Sequence, residues 1–144
     1  MEQGRREKQV WQRVLSTQEE PGDLKTLSFW AQEDEAAFRL LAERMTGKQR
    51  EQAQWLLETA RRKLACLDGI GMLAGERAEG RKPLPPPKEP PRRILEKGYR
   101  RSLRSAAGFT ARMADRQFGP VFRHLAAQEE ARCAGIAELL GMLR

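Results

Sequence analysis

Residues 74–91 read AGERAEGRKPLPPPKEPP, and six of these eighteen positions are proline. Proline has no backbone N–H and holds φ near −65°, so the stretch forbids helix and favours an extended polyproline path. A connection of this length can travel the full length of a helical bundle. The segments on either side therefore decide the fold.

Upstream, an apolar stripe falls at positions 24, 27, 31, 34, 38, 41 and 45: Leu, Leu, Ala, Asp, Phe, Leu, Met. The alternating steps of three and four predict a helix packed in a bundle. Thr46 and Gly47 end it, and a second helix is expected from about Lys48 to Leu73. So tight a connection makes the two antiparallel neighbours. Downstream, a third helix is expected from about Arg92 to Ala114, with Leu95, Tyr99, Ser102, Ala106, Phe109 and Met113 on its stripe. A break at Gly119 and Pro120 precedes a fourth, whose stripe is Phe122, Leu125, Glu129, Arg132, Ile136, Leu139 and Leu143.

The order is hairpin, long crossover, hairpin. It predicts an all-α four-helix bundle with one crossover connection rather than a simple up-and-down bundle. The chain, 1–144, reads as a single domain: an N-terminal segment over 1–22, a first hairpin over 24–73, the crossover over 74–91 and a second hairpin over 92–144. Within the first segment, REKQVWQRVLSTQ puts Val10, Trp11, Val14 and Leu15 on one side and is expected to form a short helix docked as a lid or anchor. Pro21 and Gly22 stop it, and Asp23 can cap the next helix.

Composition agrees with this layout. The chain is 40% hydrophobic and 33% charged, with few β-branched residues beside abundant Ala, Leu, Glu, Arg and Gln. No run approaches the roughly 18 apolar residues of a membrane span, and MEQGRREKQ has no apolar signal core, so a cytoplasmic protein away from membranes is expected. Cys66 and Cys133 stand within helical patterns and read as reduced, partly buried thiols. The net charge of +7 lies wholly in the second half: residues 1–73 carry 12 basic and 12 acidic groups, residues 74–144 carry 15 and 8. The excess is densest between Arg77 and Arg104. Only Tyr99 interleaves an aromatic there, so a solvated face and a charged linker account for it better than nucleic-acid binding does.

One residue resists the pattern. Leu56–Ile70 read LLETARRKLACLDGI, and Lys63 shares its face with Ala53, Leu56, Ala60, Leu67 and Ile70. The two hairpins also echo each other. FRLLAERMTGKQREQAQWLLETARRK is similar to FTARMADRQFGPVFRHLAAQEEAR, and an offset of 69 pairs Ala60 with Glu129 and Lys63 with Arg132. Internal duplication is the simplest account.

VWQRVL, RMTGK, ACLDGI, the proline-rich crossover and FGPVFRHLAAQE together resemble the rubrerythrin-type branch of the ferritin-like superfamily, in particular its small bacterial members. The resemblance covers nearly the whole chain. It implies a ferritin-like bundle in which a Glu on the first and third helices, and a Glu-x-x-His pair on the second and fourth, hold two iron atoms. Carried across position by position, the first-helix Glu falls on Ala31, the second-helix pair on Ala60 and Lys63, the third-helix Glu on Ser102, and the fourth-helix pair on Glu129 and Arg132. Only Glu129 keeps the ligand type. The single histidine, His124, lies off the stripe. A degenerate di-iron site is expected, with no metal, no cofactor and no catalytic residue.

A carboxylate left in such a core needs a counter-charge. Lys63 and Arg132 can supply it, and the stripes bring Asp34 to the same level, giving a neutral buried network of Asp34, Lys63, Glu129 and Arg132. The other reading has Lys63 and Arg132 snorkel to the bundle edge. Ala31, Ala60 and Ser102, with Trp30 and Phe109, would line either a small cavity or a collapsed core. The leading functional expectation is a non-catalytic, structural or partner-binding bundle that meets a protein partner or another copy of itself. The alternatives are a rubrerythrin-like metal-binding protein or oxidoreductase using an atypical set (Glu33, Asp34, Glu35, Glu58, Glu129, Glu130, Cys133), and binding of nucleic acid by the basic region. Lys63 and Arg132 would repel a cation at the centre. No nucleophile with its base, phosphate loop or dinucleotide fingerprint supports other enzyme classes.

Overall fold

The first helix starts where Asp23 folds its carboxylate back over the opening turn. Asp23 Oδ1 accepts from Thr26 N at 2.8 Å and from Thr26 Oγ1 at 2.9 Å, satisfying one of the amides that a helix start leaves open. The structure is a computed structural model and describes residues 23–75 and 82–143. The N-terminal helix expected over 1–22 lies outside the described residues, as does part of the crossover, 76–81. Among the described residues there are four helices and no strand: α1 (Leu24–Arg44), α2 (Gly47–Leu73), α3 (Pro91–Thr110) and α4 (Gly119–Met142). None is long and apolar enough to cross a membrane.

The α1–α2 turn is two residues long, with Thr46 extended and Gly47 at φ +61°, a conformation that favours glycine. Two boundaries differ from those expected. α3 stops at Thr110, not Ala114, and 111–114 form turns, with Arg112 Nη1 donating to Gly108 O at 3.0 Å. α4 starts at Gly119, so Pro120 sits in its first turn, where a missing N–H costs no helical hydrogen bond. Pro91 opens α3 in the same way, one residue earlier than expected. Between α3 and α4, Asp115 Oδ1 accepts from the amides of Gln117 and Phe118 at 2.9 and 2.8 Å.

Side-chain contacts fix the helix directions. Gln49 and Gln52 on α2 donate to the carbonyls of Met142 and Gly135 on α4, both at 3.2 Å. Lys63, further along α2, meets Glu129, earlier on α4. These two helices are therefore antiparallel. Leu27 packs at Gly108 and Phe38 at Gly98, so α1 and α3 are antiparallel as well. α1 also packs on α2 and α3 on α4, leaving α1–α4 and α2–α3 across the diagonals. Every adjacent pair is antiparallel, and α2 and α3 run the same way. The start of α3 lies beside the end of α4, where Arg92 Nη2 donates to Leu143 O at 2.9 Å. The end of α2 lies roughly 40 Å away, at the far end of a 27-residue helix. The crossover thus joins opposite ends of the bundle.

The core has two apolar halves. One contains Phe38, Leu41, Leu56, Leu95, Ile136 and Leu139. The other contains Leu27, Ala31, Leu67, Ile70, Phe109, Phe122 and Leu125, with the Phe109 and Phe122 rings stacked at 6.4 Å. Glycine sets the fit where the second hairpin turns: a Cβ on Gly119 would stand 2.6 Å from the Met113 carbonyl oxygen. Gly119→Ala is expected to cost about 1–3 kcal/mol, since backbone must shift. Gly69→Ala, with nothing within 4 Å of its Cβ, is expected to gain about 0.5–1 kcal/mol. Urea unfolding of both variants checks the pair; equal effects would contradict this packing.

Candidate functional site: a buried ionic layer

Each helix passes from one apolar half to the other through a polar level. On α1 the sequence Ala31, Asp34, Phe38 crosses it, on α2 Leu56, Lys63, Leu67, on α3 Leu95, Ser102, Phe109, and on α4 Leu125, Glu129, Arg132, Ile136. Helical periodicity turns all of these inward. Asp34, Ser102, Glu129 and Arg132 have no exposed surface, and Lys63 is 2% exposed.

Lys63 Nζ lies between two carboxylates, 2.7 Å from Asp34 Oδ2 and 2.6 Å from Glu129 Oε1. Three helices are tied by this one ammonium. Arg132 lies alongside, with Nη2 3.6 Å from Asp34 Oδ2 and Nε 3.8 Å from Glu129 Oε2. Those two contacts are ion pairs without hydrogen bonds. Arg132 Nη1 instead donates to Leu56 O and Thr59 Oγ1, and its guanidinium carbon stands 5.3 Å from the centre of the Phe38 ring, a cation–π contact. The structure thus brings together Asp34, Lys63, Glu129 and Arg132, and neither cationic chain carries its charge out to water.

A fifth member was missed from sequence. Arg101 Nε donates to Asp34 Oδ1 at 2.8 Å from a side chain that is 13% exposed. It passes beside Gly98, where a Cβ would crowd Phe38 Cζ at 3.3 Å and meet Arg101 Nη2 at an ordinary 3.6 Å. No pattern along α3 alone marks Arg101, because Gly98 is fitted to Phe38 of α1. Thr59, which accepts from Arg132, was missed too; its hydroxyl also donates to the carbonyls of Trp55 and Leu56.

Burial alone would raise the Asp34 carboxyl, but Lys63, Arg132 and Arg101 hold it down at about 2. Its folded value is below that of an unfolded aspartate, so the stabilisation is complete above about pH 4 and is lost as pH falls toward 2. The stability difference between wild type and Asp34→Asn is expected to narrow by about 2 kcal/mol between pH 5 and pH 2. Urea midpoints across that range test it, and a constant difference would disprove the coupling.

The metal-ligand positions of the resembled family do not fit a metal here. Ala31 and Ala60 are fully buried and offer no donor, and Ser102 offers one hydroxyl. Lys63 takes up the sole carboxylate, Glu129. Among the described residues, no three His, Cys, Asp or Glu side chains converge where they could hold a metal ion. Of the atypical set, Glu35 pairs with Arg39, Glu58 and Glu130 are exposed, and Glu33 is half-buried. Burial, then the Glu129 carboxylate, pushes the Cys133 thiol up to about 11, so at neutral pH it is protonated and unreactive. Cys66 and Cys133 are both unbridged and partly buried, and His124 is exposed.

The basic region divides in two. Arg93, Lys97, Arg100 and Arg104 are exposed on one outward face of α3. Lys97 pairs with Glu89 at 2.8 Å and Arg93 with Glu96 at 4.0 Å, which blunts the field of that stripe. Comparison with protein-family models, with curated proteins and with solved structures finds no match to this chain.

Proposed function

We propose that the chain is a metal-independent bundle of the ferritin-like, rubrerythrin type, which works by association rather than by catalysis. The observation that carries this reading is the Lys63 ammonium between the Asp34 and Glu129 carboxylates. A cation supplied by the chain takes up Glu129, the one carboxylate at a ligand position of that family, and the arginines add further positive charge. The antiparallel hairpins with their end-to-end crossover support the family, as does the echo that pairs Lys63 with Arg132. Elemental analysis of protein from iron-supplemented medium is expected to find sub-stoichiometric metal. Stoichiometric metal would overturn the reading.

The partner we propose is a second copy. Among the described residues five large apolar side chains are exposed, Phe29, Trp55, Met72, Leu73 and Val121, and all but Trp55 stand at the end of the bundle where α1 and α4 begin and α2 stops. Apolar side chains gathered at one end are a feature of contact surfaces. Light scattering is expected to show a defined oligomer that Phe29→Glu returns to monomer. A wild type that is strictly monomeric would end the self-association reading while leaving the metal-free core to stand.

A further inference from the structure

The ionic layer holds one more cation than it has carboxylates: Lys63, Arg101 and Arg132 against Asp34 and Glu129. The two guanidiniums cannot shed a proton to correct this. Glu33, next to Asp34 on α1, is attracted by Arg101, but it is half-buried and forms no ion pair with Arg101 among the described residues.

The layer also has donors without acceptors. Arg101 Nη2, Arg132 Nε and Nη2, Ser102 Oγ and Ser105 Oγ are buried and make no hydrogen bond. Ser102 and Ser105 lie one turn apart on the buried side of α3, and Arg101 from that helix and Arg132 from α4 meet the same Asp34 carboxylate. Serine hydroxyls can turn to donate. Within the layer the one described acceptor in the same condition, Glu129 Oε2, faces Arg132 Nε at 3.8 Å, a gap that a bridging water suits. The α3 side, by contrast, presents donors only, and the surplus charge of the layer is positive. A neutral water satisfies donors but leaves that charge uncompensated.

We propose that the layer binds one small monovalent anion of the halide class, held by the Arg101 and Arg132 guanidiniums and the Ser102 hydroxyl. One negative charge balances the layer, whereas a dianion would reverse the imbalance. This site does not depend on the self-association reading.

The test is the melting temperature of the full chain against sodium bromide at constant ionic strength, with sodium gluconate as the balancing salt. A saturable rise of about 5–10 °C is expected by a hundredfold excess over Kd. Crystals soaked in bromide should show an anomalous peak against Arg101, Arg132 and Ser102. Arg101→Gln leaves two cations facing two carboxylates and should lose the bromide response. Should that variant not fold, Ser102→Ala should raise the half-saturating bromide concentration at least about fivefold through the lost hydrogen bond. Equal responses in wild type and variants, no saturation, or bromide confined to the surface would overturn the proposal in favour of water alone.

Discussion

Replacing Glu129 by glutamine is expected to lower the unfolding free energy by about 3–5 kcal/mol, a large part of the stability of an ordinary domain. The change keeps the shape of the side chain and removes only its charge. Lys63 would lose its 2.6 Å partner and Arg132 its neighbour across 3.8 Å, leaving these two buried cations and the partly buried Arg101 with one carboxylate. A lysine that carried its charge to the surface would register a loss below about 0.5 kcal/mol. Urea unfolding at pH 7 separates the two, and the smaller value would refute the layer as a source of stability.

The second prediction runs the other way. Lys63→Met combined with Glu129→Leu removes one charge of each sign and leaves Asp34 with Arg101 and Arg132. The dehydration cost of both ions disappears with them, and apolar groups of similar size refill the space. The double variant is expected to be about 2–3 kcal/mol more stable than the sum of the two single losses. A double-mutant cycle gives this number directly. Additive losses would mean that Lys63 and Glu129 stabilise the fold independently, against the contact described here.

The bundle is largely legible because its helices carry long stripes of period 3.6 and its breaks are strong. The candidate site was legible for the opposite reason. Asp34, Lys63, Glu129 and Arg132 violate those stripes at one level, and burial makes such violations costly enough to require partners. Arg101 breaks no stripe. It lies beside Gly98 and the Phe38 ring packed there, a packing relation between α1 and α3 that no pattern within one helix records. The end of α3 was misplaced because Met113 continues the period, although no turn beyond Thr110 remains helical. Pro120 signals a break in the sequence yet falls inside α4, because a proline excluded from a helix interior is accepted in a first turn.

The layer's position midway between two apolar halves has a mechanical consequence. Sliding one hairpin along the other by a single turn, about 5.4 Å, would drive Asp34 or Lys63 in among leucines and phenylalanines. The ions therefore act as a detent that holds the hairpins in one register, where greasy surfaces alone would tolerate several. Sharp amide resonances in the wild type, and doubled or broadened ones in the Lys63→Met, Glu129→Leu protein, would be the signature of that catch and of its release.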